Sequence, residues 1–277
     1  MSKRIPFLPR EFSMPPLPAA AARTLRLLDQ PHVEIAKIIR AMESDPTWTP
    51  QVLRLAGSSV WGSIASPENL TEALGQLGLR RFYQLVAVAA AQPVLREPVP
   101  GYGLAEGELW DHSLAVAIAT REILLENGLR PCEEAFTAAF LHDVGKLILG
   151  SALEAEPLAE AETTGDRAEL RAAGMDHAEA GALLLEHWNM PPWLVTAVRS
   201  HHDPLDCSFL IPDLIHLADA ICLSVGVGAG RDGIRHRISP TVAVRWNLSR
   251  RSLERILSRT IDTFAEAGDL MIHGERR

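Results

Sequence analysis

Cysteine is scarce in this chain. Cys132, Cys207 and Cys222 are the only ones, the count is odd, and no CxxC pair occurs. A disulfide framework is therefore not expected, and a reducing cytoplasm is the expected location. Net positive charge is also missing. The formal net charge is -8 with a pI near 5.7, which argues against broad nucleic-acid binding by phosphate neutralisation. The two basic clusters, "GLRRFYQLV" and "RWNLSRRSLERILSR", read as solvated helix faces. The start, "MSKRIPFLPREF", lacks the apolar stretch of a signal peptide. The longest largely apolar run, "LVAVAAAQPVL", falls short of the roughly 20 residues that a bilayer span needs, so no membrane partner is expected. "GVGAGRDG" lacks the G-x-x-x-x-G-K-[ST] pattern and follows no strand. It reads as a flexible loop rather than a phosphate cradle. There is no internal repeat and no low-complexity tract.

Strand-type alternation is almost absent, whereas Ala and Leu abound and Pro or Gly punctuates at helix-like intervals. The chain is expected to be all-α. Residues 17–30 read as a helix with Pro in its first turn. "SDPTWTP" offers Asp45 as a cap, "SPENLTEALGQLG" offers Ser66, and Gly78 fits a helix stop. Residues 1–95 form an N-terminal helical half. The Pro- and Gly-rich residues 96–108 are a junction. Residues 109–225 form a second helical half, and 226–277 are a loop and a closing helix. The second half opens with "LWDHSLAVAIATREILLENG", an amphipathic helix ending near Gly128. "RPCEEAFTAAFLHDVGKLIL" follows. The acidic "EAEPLAEAETTGDRAELRAAG" suits a mobile lid, and Asp176 with Glu179 suits a capping box.

The second half carries polar residues in apolar surroundings. They are His112, the pair His142 and Asp143, His177, the pair His201 and His202, and Asp219. A buried carboxylate is costly unless it has a partner or a metal. Each residue alone has a plain reading as a packed histidine, a cap or a helix-end cation. The whole series H…HD…H…HH…D points to one shared centre. Imidazoles with carboxylates suit Fe, Mn, Zn or Ni. Glu108 and His112 lie four apart and share a helix face, as do His142 and Lys146. Successive helical side chains diverge by about 100°, so His142 and Asp143 reach one centre only if it lies near their helix. A carboxylate can bridge two metals, whereas a histidine cannot. His177 sits at the positive end of a helix, which favours the neutral ring that a metal requires. His216, one turn before Asp219, either supports a ligand from behind or simply packs. His32, His187, His236 and His273 have only the plain reading.

This series resembles the HD superfamily of metal-dependent phosphohydrolases. It is closer still to the HDOD branch, the HD-related output domains of bacterial signalling proteins. "MPPLPAAAARTLRLLDQP", "SDPTWTPQVLRLAGSSVWG", "ALGQLGLRRFYQLV", "LWDHSLAVA", "FLHDVGKL", "DHAEAGALLLEHWNMP" and "HLADAI" carry the resemblance over roughly residues 12–225. It implies an all-helical fold with a metal site between helices of the second half. The ligand set also resembles that of HD-GYP phosphodiesterases, where a glutamate one turn before the first histidine recruits a third metal. Glu108 occupies that position. The GYP signature itself is absent, since "DPLDCSFL" follows His202, so hydrolysis of cyclic di-GMP is not implied.

Two or three divalent transition metals are thus expected on Glu108, His112, His142, Asp143, His177, His201, His202 and Asp219, with Fe or Mn favoured over Zn or Ni. One expected function is phosphohydrolysis of a nucleotide or other phosphoester, with Asp143 bridging the metals and Lys146 offsetting phosphoryl charge. The other is a non-catalytic signalling module with a structural or sensory metal cluster, docking a protein partner through the N-terminal half.

Overall fold

A computed structural model of the chain describes residues 14–28, 30, 32–58, 61, 66–155, 165–204, 210–228, 230 and 238–273. The helices are α1 (Ala19–Leu28), α2 (Ile35–Glu43), α3 (Trp48–Ala56), α4 (Leu70–Leu95), α5 (Glu108–Glu126), α6 (Glu133–Leu141), α7 (Lys146–Ala155), α8 (Gly165–Ala173), α9 (His177–His187), α10 (Pro192–Arg199), α11 (Ile211–Ser224), α12 (Pro240–Arg245) and α13 (Arg250–His273). No strand occurs among the described residues, where the only pairing of that kind is an isolated bridge between Val99 and Leu104. The all-α expectation holds. The lid segment lies partly, and Cys207 and His236 wholly, outside the described residues.

Helices α1–α4 pack on one another, and α4 carries the contact onward to α6. Helix α5 is the centre of the remainder, flanked by α6, α11 and α13. It is not the amphipathic helix expected. Buried residues run round its whole circumference, from Leu109 through Trp110 and Ser113 to Leu124, as suits a helix with neighbours on several sides. Trp110 meets Phe140 of α6 edge-on at 5.0 Å, a contact worth about 0.5–1.5 kcal/mol beyond area burial. The stretch Glu133–Glu154 is apolar and long enough to pass as a membrane span, yet its apolar window is 83% buried inside the protein. It is α6 and α7 joined by a turn.

Several caps differ from expectation. The α4 cap is Asn69, whose side chain accepts from the Glu72 amide, rather than Ser66. The Asp45 carboxylate accepts from the amide and hydroxyl of Thr47, so it builds the turn ahead of α3 rather than capping it. Gly78, with φ 73° and ψ 167°, stops the first part of α4 as expected, and a second helical part continues beyond the kink to Leu95. Asp176 does cap α9 through the Glu179 amide, but the Glu179 side chain turns to Arg199, so the box is not reciprocal. Arg80 and Arg81 are exposed and pair with Glu134 and Glu133. The other basic cluster is less solvated than expected, since Arg245 pairs with the fully buried Asp213.

One break sets up everything downstream. The helix expected to run through "FLHDVGKL" stops at Leu141, and a turn over residues 142–145 precedes α7. Gly145, the last residue of the turn, is where α9 packs against it. A Cβ there would lie 1.9 Å from the His177 carbonyl oxygen and 2.4 Å from the Gly181 amide, so only glycine lets α9 come this close. Gly101 does the same on the other side of α7, where a Cβ would sit 2.0 Å from the Gly150 carbonyl. The Gly145→Ala variant is expected to lose about 1–3 kcal/mol of stability in chemical denaturation, the usual cost of overpacking. In contrast, Gly75 is exposed on α4 with open space around it. Gly75→Ala is expected to gain up to about 1 kcal/mol in the same measurement.

Candidate metal centre

The break between α6 and α7 answers the divergence problem of neighbouring side chains. Off the helix, His142 and Asp143 turn toward one place, with His142 Nε2 3.5 Å from Asp143 Oδ2. Helix α5 brings His112, whose Nε2 lies 3.4 Å from Asp143 Oδ2 and 3.1 Å from Asp219 Oδ1 of α11. The first residue of α9, His177, places Nε2 3.2 Å from Asp143 Oδ1 and 2.7 Å from His202 Nε2. His201 and His202 follow the end of α10. The ring of His201 stacks within 4.0–5.4 Å of those of His142, His177 and His202. Asp143 is thus split: Oδ2 faces His112, His142 and Lys146, and Oδ1 faces His177.

Backbone oxygens fix the rings from behind. Nδ1 of His112 lies 2.9 Å from the Val227 carbonyl, that of His142 2.7 Å from Ala139, and that of His201 2.6 Å from Val198. Nδ1 of His177 lies 2.8 Å from Glu169 Oε1. These oxygens only accept, so in each neutral ring the proton sits on Nδ1 and the Nε2 lone pair points inward. The Nε2 atoms of His112, His142 and His201 are sealed from solvent and make no well-formed hydrogen bond. Among the described residues, three ligand groups emerge whose donor atoms lie within 4.8 Å of one another: His112, His142 and Asp219; His142, Asp143 and His201; His177, His201 and His202. Inward-facing imidazole nitrogens interleaved with carboxylate oxygens form a donor set suited to a divalent transition metal.

The carboxylates and imidazoles also shift one another's titration. Burial opposes charge on His112, but Asp143 and Asp219 outweigh it and push its pKa up to about 9. Burial likewise opposes charge on His177, yet Glu169 and Asp143 hold its pKa well above the usual range. Burial alone would raise Asp143, but His142 and Lys146 draw it well below a normal carboxylate. Burial and the neighbouring His142 and His177 keep His201 low, and burial also lowers His142.

Seven of the expected residues therefore meet: His112, His142, Asp143, His177, His201, His202 and Asp219. Lys146 joins them, its Nζ 2.8 Å from Asp143 Oδ2. Glu108 does not. It is the first residue of α5 and exposed, and its carboxylate turns back to accept from the Ala105 amide at 2.8 Å. Other residues went unnoticed in the sequence. Glu169, from the supposed lid, is fully buried and accepts from His177 and from the Tyr102 hydroxyl. Tyr102, from the supposed junction, also places its ring 5.3 Å from Lys146 Nζ. The loop taken as flexible supplies the Val227 carbonyl. Next to it, Gly228 lies so close that a Cβ would stand 2.3 Å from His112 Cβ.

The proton-held state has a predictable pH profile. The folded pKa of His112 lies above its ordinary value, so its contribution is complete below about 6.5 and disappears as pH rises through about 9. His142 and His201 shift the other way, so their contribution is lost as pH falls below about 6.5. Chelator-treated protein should show a Tm maximum near neutral pH and decline on both sides. Metal-loaded protein should keep its Tm as pH rises toward 9. An alkaline decline that metal does not abolish would contradict the shared role of these nitrogens.

Comparison with known proteins identifies the family and the fold. The HDOD domain family model matches residues 14–204. A Shewanella amazonensis protein, described by its crystallographers as a candidate phosphohydrolase, superposes with a TM-score of 0.67 at 23% identity, covering 93% of this chain and 94% of that one. An HDOD domain protein of unknown function from Geobacter sulfurreducens gives a TM-score of 0.66 at 22% identity, over 94% of each chain. An uncharacterized Treponema pallidum protein is 23% identical over 203 residues, which make up 69% of this chain but 38% of that longer protein. At these identities the solved structures speak for the fold. The family match covers well over half of the sequence and takes in the HD pair, and on that ground the chain belongs to the HDOD domain family.

Proposed function

We propose that this protein is a metal-binding HDOD signalling protein whose centre is built for metal-dependent hydrolysis of a phosphoester, such as a nucleotide. One observation supports this above the others: four buried imidazoles have Nδ1 tied to acceptor-only oxygens, and their Nε2 atoms face two carboxylates. His112, His142, Asp143 and Asp219 would hold one divalent metal, and Asp143, His177, His201 and His202 a second. Fe or Mn is favoured by the mixture of imidazole and carboxylate. Bound there, such metals supply a water of lowered pKa and Lewis acidity toward a phosphoryl oxygen. The chain's own groups do the rest. Val227, Ala139, Val198 and Glu169 hold the rings in place. Lys146 fixes Asp143 and offers positive charge to a phosphoryl oxygen. His202 is the most exposed of the ligands, so a substrate would approach past it.

A second reading is favoured by the burial of the others. All ligands except His202 are at most 4% exposed, which suits a structural or sensory cluster. In that case helices α1–α4, which hold none of the clustered groups, would dock a signalling partner.

Elemental analysis and turnover separate the two. Purified protein is expected to contain Fe or Mn, and His142→Ala and Asp143→Ala to lose both metal and activity toward a panel of nucleotides, cyclic dinucleotides and phosphomonoesters. Lys146→Met should keep the metal and lose about 10²–10³-fold in kcat. Bound metal without turnover on any substrate of the panel would favour the module. A fully occupied His142→Ala variant would overturn the ligand assignment.

A further inference from the structure

Helix α11 carries three buried polar residues at three-residue steps, Asp213, His216 and Asp219. Asp219 enters the centre. His216 bonds instead to backbone on two sides. Its Nδ1 donates to the backbone carbonyl of His201 at 3.2 Å, while its Nε2 accepts the Ser239 amide at 3.0 Å. One neutral imidazole thus joins the segment that carries His201 and His202 to the residue preceding α12. One step further on, Asp213 Oδ2 accepts from Arg245 at 2.7 Å and from the Trp246 indole at 3.1 Å, both at the far end of α12. Both ends of this short helix are therefore tied to α11. Ser239, Arg245 and Trp246 all lie beyond the residues that match the family.

We propose that His216 is a positioning residue for the metal centre, and that through it the docking of α12 and metal binding at His201 are energetically coupled. The inference rests on the metal-centre reading above. The geometry supplies the reason. His201 lies outside a regular helix, so its backbone is held by few ladder bonds, and the His216 contact fixes the carbonyl of the very residue whose Nε2 faces Asp143. Coupling of this kind is reciprocal: whatever α12 docking adds to metal affinity, metal adds to α12 docking. The metal held by Asp143, His177, His201 and His202 is the one affected, because the group of His112, His142 and Asp219 contains no residue of that segment.

The test uses the full chain and three variants. His216→Phe keeps a ring but removes both nitrogens. His216→Gln restores one donor and one acceptor. Arg245→Ala removes a half-exposed partner of Asp213 that touches no ligand. Metal affinity is read by chelator competition with Mn(II) and Fe(II), and α12 amide exchange is read with and without metal. His216→Phe is expected to lose about 10–100-fold in affinity for one metal per chain, the usual cost of removing a group that orients a ligand. His216→Gln should recover part of it, and Arg245→Ala should lose several-fold. The α12 amides should exchange more slowly in metal-loaded wild-type protein than in chelated protein. Wild-type affinity in folded His216→Phe and Arg245→Ala, or α12 exchange indifferent to metal, would overturn the coupling and leave the centre standing. Wild-type protein that binds no metal would overturn both.

Discussion

The constraint on which this structure depends is charge balance in a sealed space. Asp143, Asp219 and Glu169 are buried carboxylates within one cluster, and among the described residues Lys146 is the permanent cation beside them. Among the described residues, these three carboxylates outnumber that cation by two when the histidines are neutral. Burying carboxylates on those terms is prohibitive. Two states relieve this: protons on His112 and His177, whose pKa values the carboxylates raise, or cations in the space between the Nε2 atoms and the carboxylates. The backbone carbonyls behind His112, His142 and His201 prepare those rings for the second state, since each leaves an inward lone pair.

The fold meets this constraint by breaking regular structure where the ligands are. His142 and Asp143 occupy a turn, His201 and His202 follow a helix end, and His177 begins a helix. Adjacent side chains can converge in such places, whereas on a continuous helix they diverge. The glycines permit the approach. Gly145 admits α9 to the turn, and Gly228 lies against His112 where no side chain would fit. Regular elements do the remaining work, with α5 and α11 each delivering one ligand from a rigid, buried helix.

Much of this was legible in the sequence, and for a definite reason. Histidine and aspartate within Ala- and Leu-rich helices violate the apolar pattern, and the violation marks the centre. The all-helical class followed from punctuation by Pro and Gly. What escaped notice acts without such a signature. Val227 contributes a carbonyl, which any residue possesses. Glu169 stands in an acidic stretch where one carboxylate looks like the next. Tyr102 lies among prolines and glycines that read as a junction, although that stretch is folded on itself by the Val99–Leu104 bridge. Glu108 misled in the opposite way. Four-residue spacing does place it on the face of His112, but a side chain at a helix start can turn back to a free amide, and this one does.

The family match ends at residue 204, before Asp219 and before the loop that orients His112. The centre is therefore assembled from both the matched region and the chain beyond it, with α11 as the link. Anomalous diffraction from crystals of protein purified without chelator tests the central claim most directly. The account predicts transition-metal peaks on both sides of Asp143, each about 2.0–2.2 Å from imidazole nitrogens and carboxylate oxygens. A map without anomalous signal there, in which His112 and His177 bond directly to the carboxylates, would contradict it.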